Sequence, residues 1–398
     1  GTGMASGSSA PICVVTGSRA DYGLLARVMR GLADAGRLRL LATGSHLDAA
    51  HPTVGEIEAD GFTVDIRLPL PATGGDDLAT ARAVGVGVAG IAEALHDDRP
   101  AVVVILGDRF EALAAAQAAF FLDIPIAHIH GGEVTVGSLD DSTRHAISKL
   151  ARWHFVSHAE ARDRLIRMGE APDTVWLTGA PGLDAVAALE PLSAEAVARD
   201  LGWSEPAPFL LVTYHPVTNV PGETDAGIEA LLAVLGDDDR RIVITGSNAD
   251  AGGDALNRRL AAFADAHPDR VRVRPSLGRL RYLSAMTHGD AVVGNSSSGL
   301  IEAPFLGKPT VNIGSRQEGR PAAASVISCA PTVAGIAAAL AKACSPAFVA
   351  AAQDAESLYG DGRSSDRIVN LLIRLADAPP PGPKRFHDPE PEADHGPV

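Results

Sequence analysis

The sequence predicts an α/β protein of two doubly wound, Rossmann-like domains facing a cleft. Three observations carry that prediction. Short β-branched runs recur along the chain, each closed by Gly, His, Asp or Ser; Ala/Leu-rich stretches with helical spacing lie between them; and the series pauses once near residue 190, then restarts. Strand alternating with helix implies a parallel sheet covered on both faces. At 398 residues the chain exceeds what one hydrophobic core usually serves. Its 46% hydrophobic content supplies enough apolar surface for two.

In the first half the strand runs are 12–15, 38–42, 102–106, 125–129 and 175–177, and the helical stretches are 22–35, 78–95, 111–122 and 142–152. Pro191, Pro206 and Pro208 interrupt a helix-like stretch, and a second cycle follows with strands 209–213, 241–245, 271–273, 291–293 and 310–313. The segment 365–376 reads as a terminal helix that crosses back to the first domain. The domains are therefore set at 11–188 and 189–376. Residues 1–10 read as a tag-like, disordered lead without a signal peptide's basic and apolar regions. The Pro-rich stretch 377–398 reads as a disordered tail outside the fold.

Composition excludes several function classes. Lys and Arg number 34 against 49 Asp and Glu, a net charge of −15, which argues against nucleic acid or an anionic membrane surface as partner. No run of about 18 consecutive apolar residues marks a membrane span. Cys13, Cys329 and Cys344 have no paired spacing, so neither a disulfide framework nor a Cys-based zinc site is expected, and the cytoplasm is the default location.

In open parallel sheets ligands bind beyond the carboxyl ends of the strands. Two facing sheets would bring Arg19, Asp108, His130, His215, Asn248 and Ser296 around one cleft. The turn Gly17-Ser18-Arg19 opens a helix whose amides can receive an anion, with Arg19 as a forked cation or as a solvent-facing side chain of a tight turn. It is not the Gly-x-Gly-x-x-Gly dinucleotide fingerprint. Asp108, Arg109 and Glu111 end a very hydrophobic strand; charges there must face a cleft or pair with one another. Strand alternation puts His128 and His130 on one side, but no nearby Cys or ordered carboxylate spacing completes a metal site. Asp141 or Ser142 suits the N-cap of the next helix. Capping explains one carboxylate, and the pair Asp140-Asp141 near a His and Asp108 can split into an acid and a base at one pH.

In the second half His215 ends a strand where it can donate to a phosphate or pack in the core. Gly294 to Pro304 runs from strand through a small-residue nest into a helix. The amides and hydroxyls of Ser296 and Ser297 suit a pyrophosphate, and Glu302 can accept both ribose hydroxyls. Neither a Gly-x-Ser-x-Gly elbow nor a Walker loop is present, which leaves a nucleoside diphosphate attached to another group.

Taken in order, GSRADYG, GDRFEALAAA, HIHGGEVTVGSLDDSTRHAISKLA, YHP, SLGRLRYLSAMTHGDAVVGNSSSGLIEAP and GSRQEGR resemble the UDP-N-acetylglucosamine 2-epimerase family, in particular its hydrolysing branch. The resemblance runs from about Pro11 to Ala376 and implies the glycosyltransferase-B fold. It further implies removal of the sugar's C2 proton with anti-elimination of UDP to a 2-acetamidoglucal, then water addition giving UDP and free N-acetylmannosamine, with no nicotinamide, metal or other cofactor. By motif, Arg19, Arg109, His215, Asn248, Ser296, Ser297, Glu302 and Arg316 would contact UDP, with Arg144 also in the substrate-binding set. Asp108, Asp140 and Asp141 would supply acid/base carboxylates, and His215 also counts as catalytic. A homodimer or homotetramer is the oligomeric expectation.

One position departs from the family pattern. Many members read His-x-Glu before the paired glycines, where this chain reads His128-Ile129-His130, so an imidazole able to act as base or acid near neutral pH replaces a carboxylate. Glu133 is close in sequence as a substitute. The rival readings are the non-hydrolysing epimerase, a glycosyltransferase of the same fold, and a UDP-sugar sensor. Ser18-Arg19-Ala20-Asp21 and Asp140-Asp141-Ser142-Thr143-Arg144 differ from the non-hydrolysing pattern, and the carboxylate cluster argues against simple sugar transfer.

Overall fold

A computed structural model describes residues 9–136, 138–246, 253–378, 380 and 382–390. The chain divides into two compact units, Gly1–Asp184 with Gly362–Val398 and Ala185–Asp361.

The first unit opens with β1 (Ile12–Thr16), α1 (Arg19–Asp34), β2 (Leu38–Thr43), α2 (Val54–Ala59), β3 (Ile66–Leu68) and α3 (Asp77–His96). It continues with β4 (Val102–Leu106), α4 (Phe110–Phe121), β5 (Ile126–Ile129), α5 (Leu139–Leu150), β6 (Trp153–Val156), α6 (Ala159–Arg167) and β7 (Val175–Leu177). Among the described residues the sheet has the order β3-β2-β1-β4-β5-β6-β7, with parallel pairing throughout. Period-two alternation sends Ile12, Val14, Val102 and Val104 to one face, against Leu25, Val28 and Leu32 of α1. Cys13, Val15, Val103 and Ile105 go to the other, against Ile91 and Leu95 of α3 and the alanines of α4.

The second unit follows α7 (Gly182–Ala188) with α8 (Ala194–Asp200), β8 (Phe209–Thr213), α9 (Glu223–Gly236), β9 (Arg241–Thr245), α10 (Gly253–Ala266), β10 (Val271–Arg274) and α11 (Gly278–His288). Next come β11 (Ala291–Gly294), α12 (Ser298–Phe305), β12 (Thr310–Ile313), β13 (Val326–Cys329), α13 (Val333–Ala343) and α14 (Pro346–Asp354). Its described sheet is again parallel, in the order β10-β9-β8-β11-β12-β13. Leu210, Val212, Ile242, Ile244, Val293 and Val311 bury against α9, α10 and α13.

The last helix, α15 (Ser364–Asp377), belongs to the first unit, where Ile368, Val369 and Leu372 join the α1 face of the core. Asp184 receives the Ser364 and Ser365 amides at 2.9 and 2.6 Å, fixing where that helix starts. The helix α3 is the one described element long and apolar enough to cross a membrane by length and composition, with a mean hydropathy of 1.4 over 18 residues. Here it covers the sheet, burying Ala83, Gly87, Ile91 and Leu95.

Two expectations are corrected. The helix carrying Asp140 and Asp141 begins at Leu139 with Ser138 as its N-cap, accepting from the Asp140 amide, so neither Asp141 nor Ser142 caps it and both carboxylates lie in its first turn. The tail beyond residue 377 is not wholly outside the fold. Lys384 reaches Glu170 at 2.5 Å, the Phe386 ring lies 4.7 Å from Lys149 Nζ, and the His387 amide donates to the Gly169 carbonyl at 2.9 Å. A buried carboxylate in want of cations draws that segment in.

Candidate functional site

The candidate side chains cluster at the carboxyl ends of the strands in each unit, where loops free of sheet pairing can turn polar groups outward. In the first unit the organising residue is Arg144, 6% exposed on α5. One guanidinium nitrogen meets Asp108 Oδ2 and Thr135 Oγ1 at 3.1 Å. The other donates to Asp141 Oδ1 at 3.0 Å and the Glu133 carbonyl at 2.9 Å. Asp141 also receives the Thr135 amide at 2.7 Å and lies 3.3 Å from His145 Nε2. A forked cation therefore ties the end of β4, the loop after β5 and the first turn of α5 into one network.

Asp140 points to the solvent side of that turn. Its carboxyl is held above the usual carboxylate range, by desolvation first and then by the Asp108 charge. Asp21, in the first turn of α1, is pushed up to about 6 by burial, its Ser18 bond and Arg109 opposing and Glu111 and Asp108 reinforcing the rise. Arg109 pairs with the buried Glu111 at 2.7 Å, and the remaining oxygen of Glu111 has no partner among the described atoms. Gly17 lies directly over it: a Cβ there would sit 2.5 Å from Glu111 Cγ. Arg19, exposed at the start of α1, pairs with Glu56 at 3.1 Å.

The two imidazoles at the end of β5 do not share a side as alternation suggested. His128 is fully buried, 2.8 Å from both Ser148 Oγ and the Gly107 carbonyl, and burial pushes it down to about 3. His130 lies just beyond β5 with φ 68, a left-handed turn that swings its ring toward Glu133 Oε2, 2.9 Å from Nδ1.

In the second unit Asn295, fully buried, clamps the end of β8. Its Oδ1 accepts the His215 amide at 2.7 Å and its Nδ2 donates to the His215 carbonyl at 2.9 Å. Its own carbonyl receives Arg316 at 3.2 Å and Gln317 at 3.0 Å. Gly294 makes the close approach possible: at φ 143 a Cβ would fall 1.8 Å from the Thr213 carbonyl. Ser297 caps α12. Ser296 Oγ lies 3.2 Å from Ser298 Oγ, which bonds Tyr282 at 2.5 Å. Glu302 is held up by burial against the pull of Arg279. Asn248 lies outside the described residues.

Thus Asp108, Asp141 and Arg144 meet directly in one unit, and His215, Ser296, Ser297, Glu302 and Arg316 gather at one end of the sheet in the other. Sequence reasoning passed over Asn295, Gln317, Tyr282 and His158; a polar residue directly after a buried strand was the available signal for Asn295.

Parallel α/β units with amide-rich loops ahead of helices, forked cations and a carboxylate cluster define an enzyme class that handles a nucleoside diphosphate carrying an acid/base-labile group. A family model described as UDP-N-acetylglucosamine 2-epimerase matches residues 32–373, and the chain belongs to that family. It is 36% identical to a Legionella pneumophila protein named UDP-N,N'-diacetylbacillosamine 2-epimerase (hydrolyzing), over 91% of this chain and 95% of that one. A Campylobacter jejuni protein named GDP/UDP-N,N'-diacetylbacillosamine 2-epimerase (hydrolyzing) is 33% identical over 79% and 82% of the two chains. In fold the chain is similar to a crystal structure described as a putative UDP-N-acetylglucosamine 2-epimerase from Listeria monocytogenes, with a TM-score of 0.76 at 18% identity, covering 95% of this chain and all of that one.

Proposed function

We propose that the chain is a hydrolysing 2-epimerase of a UDP-linked 2-acetamido sugar, releasing UDP and the free sugar inverted at C2. The observation that carries this reading is the Arg144 network, which sets Asp108 and Asp141 beside an Asp140 held above the usual carboxylate range. Elimination across C1 and C2 needs a base at C2 and charge stabilisation at the departing diphosphate. Asp108, Asp140, Asp141 and His130 serve proton transfer. Arg19, Arg109, His215, Asn248, Ser296, Ser297 and Arg316 serve the diphosphate, Glu302 the ribose, and Arg144 the substrate. No cofactor is required by this chemistry.

The hydrolysing outcome is favoured by the names of the Legionella and Campylobacter relatives. The same names bring forward a sugar with a second acetamido group at C4, beside UDP-N-acetylglucosamine. A cytoplasmic location accords with three free cysteines. A homodimer is supported by the outer face of α3, where Leu78 and Val86 stand 53% and 49% exposed.

The test is incubation with UDP-N-acetylglucosamine and, separately, its 4-acetamido-4,6-dideoxy counterpart in deuterated water, followed by proton and phosphorus NMR. Free C2-deuterated sugar plus UDP is expected from one of them. Interconverting UDP-sugars without release would refute the hydrolysing reading. Asp108→Asn should cut kcat by about 10²–10⁴-fold while leaving UDP affinity within a few-fold, because its carboxylate lies in the acid/base cluster of the first unit.

A further inference from the structure

We propose that His130 and Glu133 form a base dyad: His130 Nε2 takes the C2 proton, and Glu133 is the positioning residue that fixes its tautomer. The inference rests on the epimerase reading above and names the group that opens the reaction. His130 is a non-glycine residue in the left-handed region, a conformation that persists only where its surroundings over-determine it. Three contacts do so. The His130 amide donates to the Phe155 carbonyl at 3.1 Å. Gly131 has no room for a side chain, a Cβ there falling 2.7 Å from Ser148 Oγ and 2.9 Å from His128 Nδ1. Gly132, at φ 77, packs on the Ala161 carbonyl, and its own carbonyl receives Arg164.

The turn so held delivers His130 Nδ1 to Glu133 Oε2 at 2.9 Å. A carboxylate only accepts, so the neutral ring carries its proton on Nδ1 and keeps the Nε2 lone pair for a base. The other Glu133 oxygen faces His158 Nε2 at 3.9 Å. His158 accepts the Ala161 amide at Nδ1, so its proton is on Nε2 and is turned toward Glu133. The Glu133 carbonyl takes Arg144, which couples the dyad to Asp108 and Asp141. Those two aspartates have oxygens committed to Arg144. The groups around the ring are Glu133 from its own loop, Arg144 from α5, Arg164 from α6 with His158 at that helix's N-cap, and His128 from β5.

In the step itself the C2–H bond breaks to Nε2 and its electron pair becomes the C1–C2 double bond. The C1–O bond breaks with its pair leaving on UDP, and the imidazolium is faced by the Glu133 carboxylate. His130 then returns its proton to solvent. Inversion requires a proton delivered to the opposite face of C2, which Asp140 can hold, while water adds to C1 and releases its extra proton to solvent.

The experiment compares wild type, His130→Gln, Glu133→Gln and the double variant, reading replacement of the C2 hydrogen by deuterium, which requires the C2–H cleavage that hydrolysis and return of UDP share. Glu133→Gln should lower kcat about 100-fold or more with KM within about threefold. The double variant should be no slower than His130→Gln within that margin, since the two act as one unit. A low-field imidazole N–H resonance absent from His130→Gln should be displaced in Glu133→Gln, a signature that folding alone does not set. A Glu133→Gln rate within threefold of wild type, or additive losses, overturns the dyad while leaving free-sugar release, and with it the hydrolysing reading, intact. UDP-sugar interconversion with C2 exchange lost in Glu133→Gln does the reverse: the dyad stands and the hydrolysing reading fails.

Discussion

His128 shows how one buried residue links sequence to site. Its ring bridges Ser148 and the Gly107 carbonyl, and a carbonyl can only accept, so Nε2 donates and Nδ1 accepts from the serine hydroxyl. Gly107, at φ 83, precedes Asp108, so the imidazole tethers the turn that presents the Asp108 carboxylate. Burial pushes this histidine from 6.5 to about 3. The unfolded chain therefore binds a proton below pH 6.5 that the folded chain refuses, and stability is complete above pH 6.5 and lost as pH falls toward 3. The slope from one such group is about 1.4 kcal/mol per pH unit. Urea melts of wild type and His128→Gln between pH 7.5 and 4 should diverge by that slope, glutamine being able to donate and accept without titrating. Parallel curves would count against the assigned burial.

At the scale of elements, the C-terminal segment 382–390 is a strap over the end of α5 and the turn after α6. Glu170 is fully buried in its side chain and meets His154, Lys149 and Lys384. Burial alone would raise it, but those three partners outweigh burial and hold it at about 2, so its contribution is present above pH 4.5 and fades as pH falls toward 2. Lys384→Ala removes one of three partners and should cost about 1–2 kcal/mol in urea unfolding, less than a wholly orphaned buried charge. No change in the midpoint would mean that the strap is not held by Glu170. The same region shows why some elements were legible and others not. The strands β4 and β8 carry the continuous apolar runs 102–106 and 209–212, and with β9 and β12 they are almost wholly buried; the bounds of all four read directly from sequence. Edge strands β3 and β13 are short and half exposed, and β6 contains His154, an apolar-face histidine made tolerable only by a glutamate sixteen residues on. Residues at strand ends, Asp108 and His215 among them, were visible by position. The Glu133 and His158 contacts were not, because both depend on the left-handed turn at His130, which alternation cannot foresee.

For the molecule as a whole, the question is how an acidic chain with an apolar outer helix avoids indiscriminate association. The outer face of α3 presents Leu78, Arg82, Val86, Ala89 and Glu93, all exposed in the single chain, and it is the face on which the homodimer proposed above would rest. Its two charges stand near the ends of an apolar centre. If two copies of the helix pair antiparallel about a twofold axis near residues 87–88, Arg82 of each copy meets Glu93 of the other, an isologous arrangement in which one patch is its own complement. Rim ion pairs contribute little, about 0–1 kcal/mol, whereas a lysine ammonium buried against apolar surface costs several kcal/mol. Size-exclusion chromatography with light scattering should therefore give about twice the 41.0 kDa chain mass for wild type and a monomer for Val86→Lys. Arg82→Glu should weaken the dimer a few-fold, and adding Glu93→Arg should restore it. A wild-type monomer at tens of micromolar, or a Val86→Lys protein that remains dimeric, would move the interface away from α3.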